Sequence, residues 1–141
     1  DKVYVVLEWC SMGSVAEWMD RKVEGSVDLP GIRTILLDTA AGLRHIHRHG
    51  IAHHDIKPGN LLLASDGHVR IADFGVAERF DSRGHCGSAF GTPAYQAPEI
   101  ASGQPYDGQR ADCWSLGIVL YQLLHPEHCL PWTAATAYLL M

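Results

Sequence analysis

The sequence is poor in charge, and it lacks any long hydrophobic run. Only 19% of its 141 residues are charged, and the formal net charge is -5. It therefore offers no broadly basic surface for nucleic acid or an anionic membrane. A membrane-spanning helix needs about 18 consecutive apolar residues, and no run in this sequence is that long. Disorder is not expected, because 47% of the residues are hydrophobic and such a chain buries a core.

Cysteine is scarce and dispersed, whereas histidine is frequent. The four cysteines include no C-x-x-C pair, which predicts reduced thiols in an intracellular, cytoplasmic protein rather than disulfides or zinc ligands. Three of the nine histidines, His45, His47 and His49, follow one another at a spacing of two. On a helix this spacing directs the rings to different faces, so we predict solvated helix-end side chains there and no metal site.

Hydrophobic periodicity predicts an α+β fold with few strands. Val3 to Leu7 are β-branched and aromatic, which predicts a buried strand. Ser14 and Glu17 form a capping-box pattern, which predicts a short helix through Met19. A long helix is predicted from Pro30 to Gly50. Its apolar residues recur at spacings of three and four and form one stripe: Ile32, Ile35, Leu36, Thr39, Leu43 and Ile46.

The remaining chain combines a hairpin, a long irregular segment and further helices. An Asp-Gly turn between Leu61 to Leu63 and Val69 to Ile71 predicts a hairpin. Residues 73–99 lack periodicity and are too long for an ordinary connection, which favours a functional loop. Asp112 to Leu124 is predicted to form a buried helix, and Thr133 to Met141 a last helical stretch.

One short run, His53 to Asn60 (HHDIKPGN), holds three groups that phosphoryl transfer requires. Asp55 is a carboxylate that can orient an attacking hydroxyl, Lys57 is a cation for the moving phosphate, and Asn60 is an oxygen ligand for magnesium. Asp73, which follows the hairpin, is a second candidate ligand, since proteins hold Mg²⁺ by one or two carboxylates plus phosphates. The pattern predicts a phosphotransferase that uses ATP and Mg²⁺.

The order of these motifs resembles that of the eukaryotic protein kinases, in which H-R-D-x-K-x-x-N precedes D-F-G and A-P-E. Here the three motifs are residues 53–60, 73–75 and 97–99, and DCWSLG at residues 112–117 resembles the family's buried central helix. The resemblance implies a protein-kinase-like fold. It also implies that the chain is mainly the helical C-terminal lobe, with a small β-hairpin at the catalytic loop.

The resemblance covers residues 1–141 and implies a partial protein kinase domain. The family's glycine-rich loop, its strand lysine and the glutamate paired with that lysine would precede residue 1. The arginine that pairs with Glu99 would follow residue 141. On this expectation the chain alone would not catalyse.

The resemblance also implies roles for individual residues. Adenine would be held by five of them: Leu7 as the hinge gatekeeper, the backbone of Glu8, Trp9 and Cys10, and Leu62 beneath the purine. The hydroxyl of Thr92 would bridge Asp55 and Lys57. Lys57 and the run Gly91 to Glu99 (GTPAYQAPE) resemble serine/threonine kinases rather than tyrosine kinases, so the acceptor would be a protein serine or threonine.

Three further roles and one departure follow from the same resemblance. His53 and Phe74 would pack in the family's hydrophobic spine, and Asp112 would accept backbone hydrogen bonds from the catalytic loop. His54 stands where the family has an arginine that docks a phosphorylated activation loop, which puts such control in doubt. Ser88 occupies the usual phosphosite, and its phosphorylation is a hypothesis.

Within the family, the motifs resemble those of the upstream kinases that activate AMP-activated protein kinase, of the liver kinase B type or the calcium/calmodulin-dependent kinase kinase type. An activating partner protein is a further hypothesis. Two alternatives stay open: a pseudokinase acting as a binding or allosteric module, and a small-molecule phosphotransferase of kinase-like fold. The segment that ends at Ala97 to Glu99 disfavours the second, because it forms a platform for a peptide.

Overall fold

The computed structural model describes residues 2–21, 27–125, 127, 130 and 131. The predicted helix from Thr133 to Met141 lies outside the described residues, as does Cys129. The described part has an α+β fold, as the periodicity predicts. None of its helices is both long and apolar enough to cross a membrane.

The described elements are short, apart from two long helices. The α-helices are α1 (Val15–Asp20), α2 (Leu29–Arg48) and α3 (Gly108–Leu124). The strands are β1 (Ile51–Ala52), β2 (Leu61–Leu63), β3 (Val69–Ile71), β4 (Glu78–Arg79), β5 (His85–Cys86) and β6 (Tyr106–Asp107). Single 3₁₀ turns cover Pro58–Asn60 and Pro93–Tyr95, and a longer one covers Pro98–Ser102.

Both early helices are capped by side chains at their N-termini, and α2 begins at Leu29, one residue before the predicted Pro30. The Ser14 hydroxyl accepts a hydrogen bond from the Glu17 amide (3.2 Å), and the Glu17 carboxylate accepts one from the Ser14 amide (2.9 Å). This closes the predicted capping box. The carboxylate of Asp28 caps α2 by accepting from the Gly31 amide (3.0 Å). Helix α2 ends at Arg48, close to the predicted stop at Gly50, which adopts the left-handed conformation.

One hydrophobic core joins the three α-helices to the β2–β3 hairpin. The stripe predicted for α2 is confirmed: Ile32, Ile35, Thr39 and Leu43 are buried, and Leu36 and Ile46 are partly buried. They pack with fully buried residues of the other elements, among them Val15, Ile56, Leu61 and Val119. Each such side chain contributes about 1.5–3 kcal/mol when it leaves water. This core therefore fixes the position of the loop between β1 and β2.

The six strands pair into three antiparallel two-stranded sheets, β1 with β4, β2 with β3, and β5 with β6. The β2–β3 hairpin is confirmed. The other two sheets anchor the segment 73–99, which the sequence predicts to be irregular. Glu78 of β4 pairs with Ala52, and Cys86 of β5 pairs with Tyr106. The segment is thus fastened at two points to distant parts of the chain.

The prediction of a buried strand at Val3 to Leu7 is wrong. The structure has no strand there, and these side chains are between 74% and 95% exposed. A strand needs a neighbour for its backbone groups, and in the described part of the chain no strand lies beside these residues. Backbone pairing with the hairpin starts only at Met12, whose amide donates to the Leu63 carbonyl (3.2 Å).

Helix α3 is longer and less buried than predicted. It begins at Gly108 rather than Asp112, because the carboxylate of Asp107 caps the free amides of the first turn. Trp114 and Leu124 are 39% and 41% exposed. A continuous apolar run cannot direct every side chain to one core, since successive helical residues point about 100° apart. The prediction of burial is therefore wrong for these two residues.

Two glycines of α3 give a matched test of close packing. A Cβ at Gly108 would lie 2.7 Å from the Ala52 Cβ and 2.7 Å from the Cys86 sulfur, whereas a Cβ at Gly117 would meet nothing within 4 Å. We expect Gly108→Ala to lower the free energy of unfolding by about 1–3 kcal/mol through overpacking. Gly117→Ala should raise it by about 0.5–1 kcal/mol through helix propensity. Denaturant unfolding of the intact protein measures both, and equal effects would contradict the packing described.

Candidate active site

The loop between β1 and β2 is held by one buried carboxylate. Asp112 of α3 is fully buried and accepts hydrogen bonds from the backbone amides of His53 (2.9 Å) and His54 (2.8 Å). The predicted backbone contact of Asp112 is thus confirmed. Buried charges require such partners, because an unpaired carboxylate would be very costly away from water. The first two residues of the motif are thereby fixed to the central helix.

His47 also contacts this carboxylate, and the prediction that it is solvated is wrong. Its Nε2 lies 2.8 Å from the Asp112 carboxylate, and its side chain is only 10% exposed. His47 follows Leu43 by four residues, so it continues the buried stripe of α2. That spacing is the signal that could have identified it. Through Asp112, the end of α2, the start of α3 and the loop share one network.

Four donors converge on the carboxylate of Asp55, which is 8% exposed. Its Oδ1 accepts from the Thr92 amide (2.9 Å) and the Thr92 hydroxyl (2.6 Å). Its Oδ2 accepts from Lys57 Nζ (2.8 Å) and Asn60 Nδ2 (2.9 Å). Lys57 Nζ also donates to the Thr92 hydroxyl (2.8 Å). The bridge from Asp55 through Thr92 to Lys57 therefore has the expected contacts.

These contacts fix the charge of Asp55. Burial alone would raise the pKa of its carboxyl, but the hydrogen bonds from Lys57 and Thr92 outweigh burial and lower the pKa below its ordinary value. Asp55 is therefore a carboxylate at neutral pH. An ionised carboxylate is the form that accepts a hydrogen bond from an approaching hydroxyl.

Gly91, to which the motifs assign no role, makes the close approach of Thr92 to Asp55 feasible. A Cβ at this position would lie only 2.1 Å from the His54 carbonyl oxygen, and its φ is +105°. Glycine alone adopts this conformation without strain and leaves room for the close approach. The turn at Gly91 thus brings residue 92 against a loop that lies 37 positions earlier in the chain.

Asn60 and Asp73 are positioned by the hairpin and its flanks. Asn60 donates through Nδ2 to both the carbonyl and the carboxylate of Asp55 (2.9 Å each), so its Oδ1 is the atom that can face a metal. The amide of Ala72 donates to the Asn60 carbonyl (2.9 Å), which sets the course of the chain into Asp73. Asp73 is exposed and has a φ of +62°, a conformation that non-glycine residues adopt mainly where their surroundings impose it.

The side-chain oxygens of Asn60 and Asp73 fit a magnesium ion, because amide and carboxylate oxygens are the hard ligands that Mg²⁺ prefers.

The turn at Asp73 is supported by the buried side chain of His53. The Nε2 of His53 lies 3.0 Å from the Ala72 carbonyl oxygen, and its ring meets the Phe74 ring edge-on with centroids 4.9 Å apart. His53 and Phe74 are therefore in contact, as the resemblance implies.

A cleft of about 430 Å³ lies beside Asp73, within the size range of small-molecule sites. Its lining includes four of the five residues predicted to hold adenine: Leu7, Glu8, Cys10 and Leu62. Trp9 is not brought into it, and 84% of its side chain is exposed. Arg70 also lines the cleft and pairs with Glu8 (3.0 Å). None of the sequence motifs includes Arg70.

Comparisons with known proteins agree with this geometry. Residues 1–138 match the family model described as a protein kinase domain. The chain is 41% identical over 132 residues to "Serine/threonine-protein kinase par-4" of Caenorhabditis elegans, which covers 90% of the chain and 21% of that relative. It is 41% identical over 146 residues to "Serine/threonine-protein kinase TOS3" of Saccharomyces cerevisiae, covering 87% and 25%. The chain thus spans a quarter or less of the length of these two relatives.

Asp112 gives a test of how the loop is held. We expect Asp112→Ala to lower the free energy of unfolding by about 3–5 kcal/mol, because it leaves buried backbone amides without an acceptor. Chemical denaturation of the intact protein measures this. Asp20→Ala, at an exposed position on α1, is the matched control and should change stability by no more than about 0.5 kcal/mol. A similarly small effect of Asp112→Ala would show that the loop is held by other means.

Proposed function

The chain belongs to the protein kinase domain family, and we propose that it carries the catalytic loop of an ATP- and Mg²⁺-dependent serine/threonine protein kinase. The resemblance to serine/threonine kinases is confirmed by the family match and by the names of the relatives. One observation carries the proposal of activity: Asp55 is an ionised carboxylate held between Lys57 and Thr92. The activity of the whole protein is a proposal, because the chain spans only part of its relatives.

In the proposed reaction, Asp55 orients the hydroxyl of a protein serine or threonine and accepts its proton as the phosphoryl group moves. A carboxylate has about four lone-pair sites, and in the structure four hydrogen bonds use them. The acceptor hydroxyl must therefore displace one donor. Lys57 is the best candidate, since 30% of its side chain is exposed. Turned away from Asp55, its ammonium would lie free to stabilise charge on the transferred phosphoryl group.

Asn60 and Asp73 are proposed to hold magnesium, which when bound neutralises phosphate charge. The cleft beside Asp73 is proposed to take the adenine, with Leu7 and Leu62 as apolar contacts. The backbone of Glu8, Trp9 and Cys10 would supply the hydrogen bonds. What supports this is the lining of the cleft and the oxygen donors at its edge.

We propose that residues 1–141 are a partial kinase domain, the mainly helical C-terminal lobe with a hairpin at the catalytic loop. The small hairpin beside the Asp55 network supports this. Within the family, we propose that the chain is most similar to the liver kinase B type or the calcium/calmodulin-dependent kinase kinase type. An activating partner protein and an intracellular, cytoplasmic location belong to the same proposal.

Control by loop phosphorylation is not favoured by the surroundings of Ser88. The amide of Ser88 donates to the carboxylate of Glu78 (3.2 Å), so a phosphate there would face a like charge. Burial lowers the pKa of His54, which leaves its ring neutral at pH 7 and unable to act as the family's arginine does. Phosphorylation of Ser88 therefore stays a hypothesis.

Asp55→Asn tests the assigned base. In the intact protein we expect the turnover number for a serine or threonine peptide to fall by about 10²–10⁴-fold, because amide nitrogen and oxygen cannot replace the carboxylate. The affinity for ATP should hardly change. Steady-state kinetics and calorimetry separate the two quantities.

The same assays distinguish the alternatives. Wild-type turnover in Asp55→Asn would refute the assignment of the base. A wild-type protein that binds ATP and phosphorylates nothing would be a pseudokinase, and one that phosphorylates a small-molecule acceptor but no peptide would be a small-molecule phosphotransferase. Asp20→Asn is the control, because it makes the same change of carboxylate to amide at an exposed position. It should retain full activity.

Asp73→Asn tests the metal ligand. We expect the affinity for ATP in the presence of Mg²⁺ to fall by at least about tenfold, the size that even outer-shell changes reach at metal sites. The affinity for ATP without Mg²⁺ should stay the same, since the adenine contacts are untouched. Isothermal titration calorimetry measures both. Equal losses with and without Mg²⁺ would assign Asp73 a structural role instead.

A further inference from the structure

Three side chains from separate elements converge beside the catalytic loop, and none of them takes part in the hydrogen bonds of the Asp55 carboxylate. They are His54 of the catalytic loop, Glu78 of β4 and Cys86 of β5. Their ring nitrogen, carboxylate oxygen and sulfur atoms all lie within 4.8 Å of one another. His54 and Cys86 are 4% and 2% exposed, and Glu78 is partly buried. The proposed phosphoryl transfer uses none of them.

Strand pairing brings these residues together. Because β4 pairs with β1, Glu78 lies opposite Ala52, two residues before His54. Because β5 pairs with β6, Cys86 lies opposite Tyr106. The Tyr106 ring in turn packs 5.7 Å from the His54 ring. The three candidate ligands are therefore held by backbone pairing on both sides and do not depend on flexible side-chain reach alone.

His54 supplies an observation independent of this proximity. Within the part of the chain that the structure describes, neither of its ring nitrogens has a hydrogen-bond partner, although both are buried. A buried polar group without a hydrogen-bond partner destabilises the fold, and each such group requires an explanation. The backbone of His54 also adopts a φ of +68°, which is uncommon for a non-glycine residue. The fold thus holds an unpartnered imidazole towards a carboxylate and a thiol.

The donor set determines which ion would fit. Imidazole nitrogen, thiolate sulfur and carboxylate oxygen are together the ligands of protein zinc sites. Bond lengths of about 2.0–2.3 Å in a tetrahedron put neighbouring ligand atoms about 3.5 Å apart. Because the three atoms lie within 4.8 Å of one another, no separation has to close by more than about 1.3 Å. Glu78 accepts from the amides of Gly87 (3.3 Å) and Ser88 (3.2 Å), one at each oxygen, so each oxygen keeps a lone pair.

We propose that His54, Glu78 and Cys86 bind a divalent cation of the zinc type, with water as the fourth ligand. On binding, the thiol of Cys86 releases its proton to solvent, and the thiolate, imidazole and carboxylate each donate an electron pair to the ion. The spacing of the cysteines predicts no zinc ligands, but this site combines residues that are distant in sequence. The ion ties β4 and β5 to the residue beside Asp55, and so fastens the segment 73–99 without a phosphate.

The test is a titration of the intact, chelator-treated protein with Co²⁺, whose absorption reports its ligands. We expect one equivalent of Co²⁺ to produce a thiolate charge-transfer band together with the visible bands of tetrahedral Co²⁺, and Zn²⁺ to abolish both. Cys86→Ser should remove the charge-transfer band. His54→Gln and Glu78→Gln should weaken Co²⁺ binding by more than about tenfold.

Cys113→Ser is the matched control, because Cys113 is exposed on α3. This substitution should leave the Co²⁺ spectrum unchanged. The proposal is overturned if the wild-type protein gives no charge-transfer band, or if the band survives in Cys86→Ser. Circular dichroism of each variant verifies folding. If Cys86→Ser does not fold, Glu78→Gln provides the test, because Glu78 is partly exposed and its substitution disturbs packing less. Wild-type affinity of Glu78→Gln for Co²⁺ would also overturn the proposal. Because metal binding is the readout, the result does not depend on phosphoryl transfer.

Discussion

The arrangement of the catalytic loop depends on one buried charge. Asp112 has no contact with water, so its carboxylate is tolerable only where donors surround it. Two consecutive backbone amides and the ring of His47 meet that need. The positive φ of His54, directly after the second of these amides, then turns the chain into Asp55. Contacts in the interior of the molecule thereby set the position of Asp55 in the loop.

The sequence predicts those parts of the fold that nearby residues determine. The capping box at Ser14, the apolar stripe of α2 and the Asp-Gly turn of the hairpin all involve residues within a few positions of one another, and all three are confirmed. The early start of α3 has a local cause as well, the cap at Asp107, which the apolar pattern alone does not reveal. The strand predicted at Val3 to Leu7 is wrong because strand formation requires a partner that local sequence cannot supply.

The site is predicted less evenly, because its contacts span long separations in the chain. Asp55, Lys57 and Asn60 come from one short run, and their chemical roles can be recognised from that run alone. The contact of Asp55 with Thr92 follows only from resemblance to a family. His47 and Gly91 were missed, since their importance lies in what they face rather than in their own chemistry. Strands β4 and β5 are two residues long, too short for any periodicity to reveal them.

The close approach at Gly91 has a consequence for how the site is switched. Thr92 supplies two of the four hydrogen bonds to Asp55, and it does so only while Gly91 lies against the His54 carbonyl. Lifting this part of the chain would remove both bonds in one step and raise the proton affinity of the carboxylate. Docking of the segment and the protonation of Asp55, the proposed base, are therefore two aspects of a single equilibrium. Any ligand or partner that favours the docked conformation would act on the chemistry without touching Asp55.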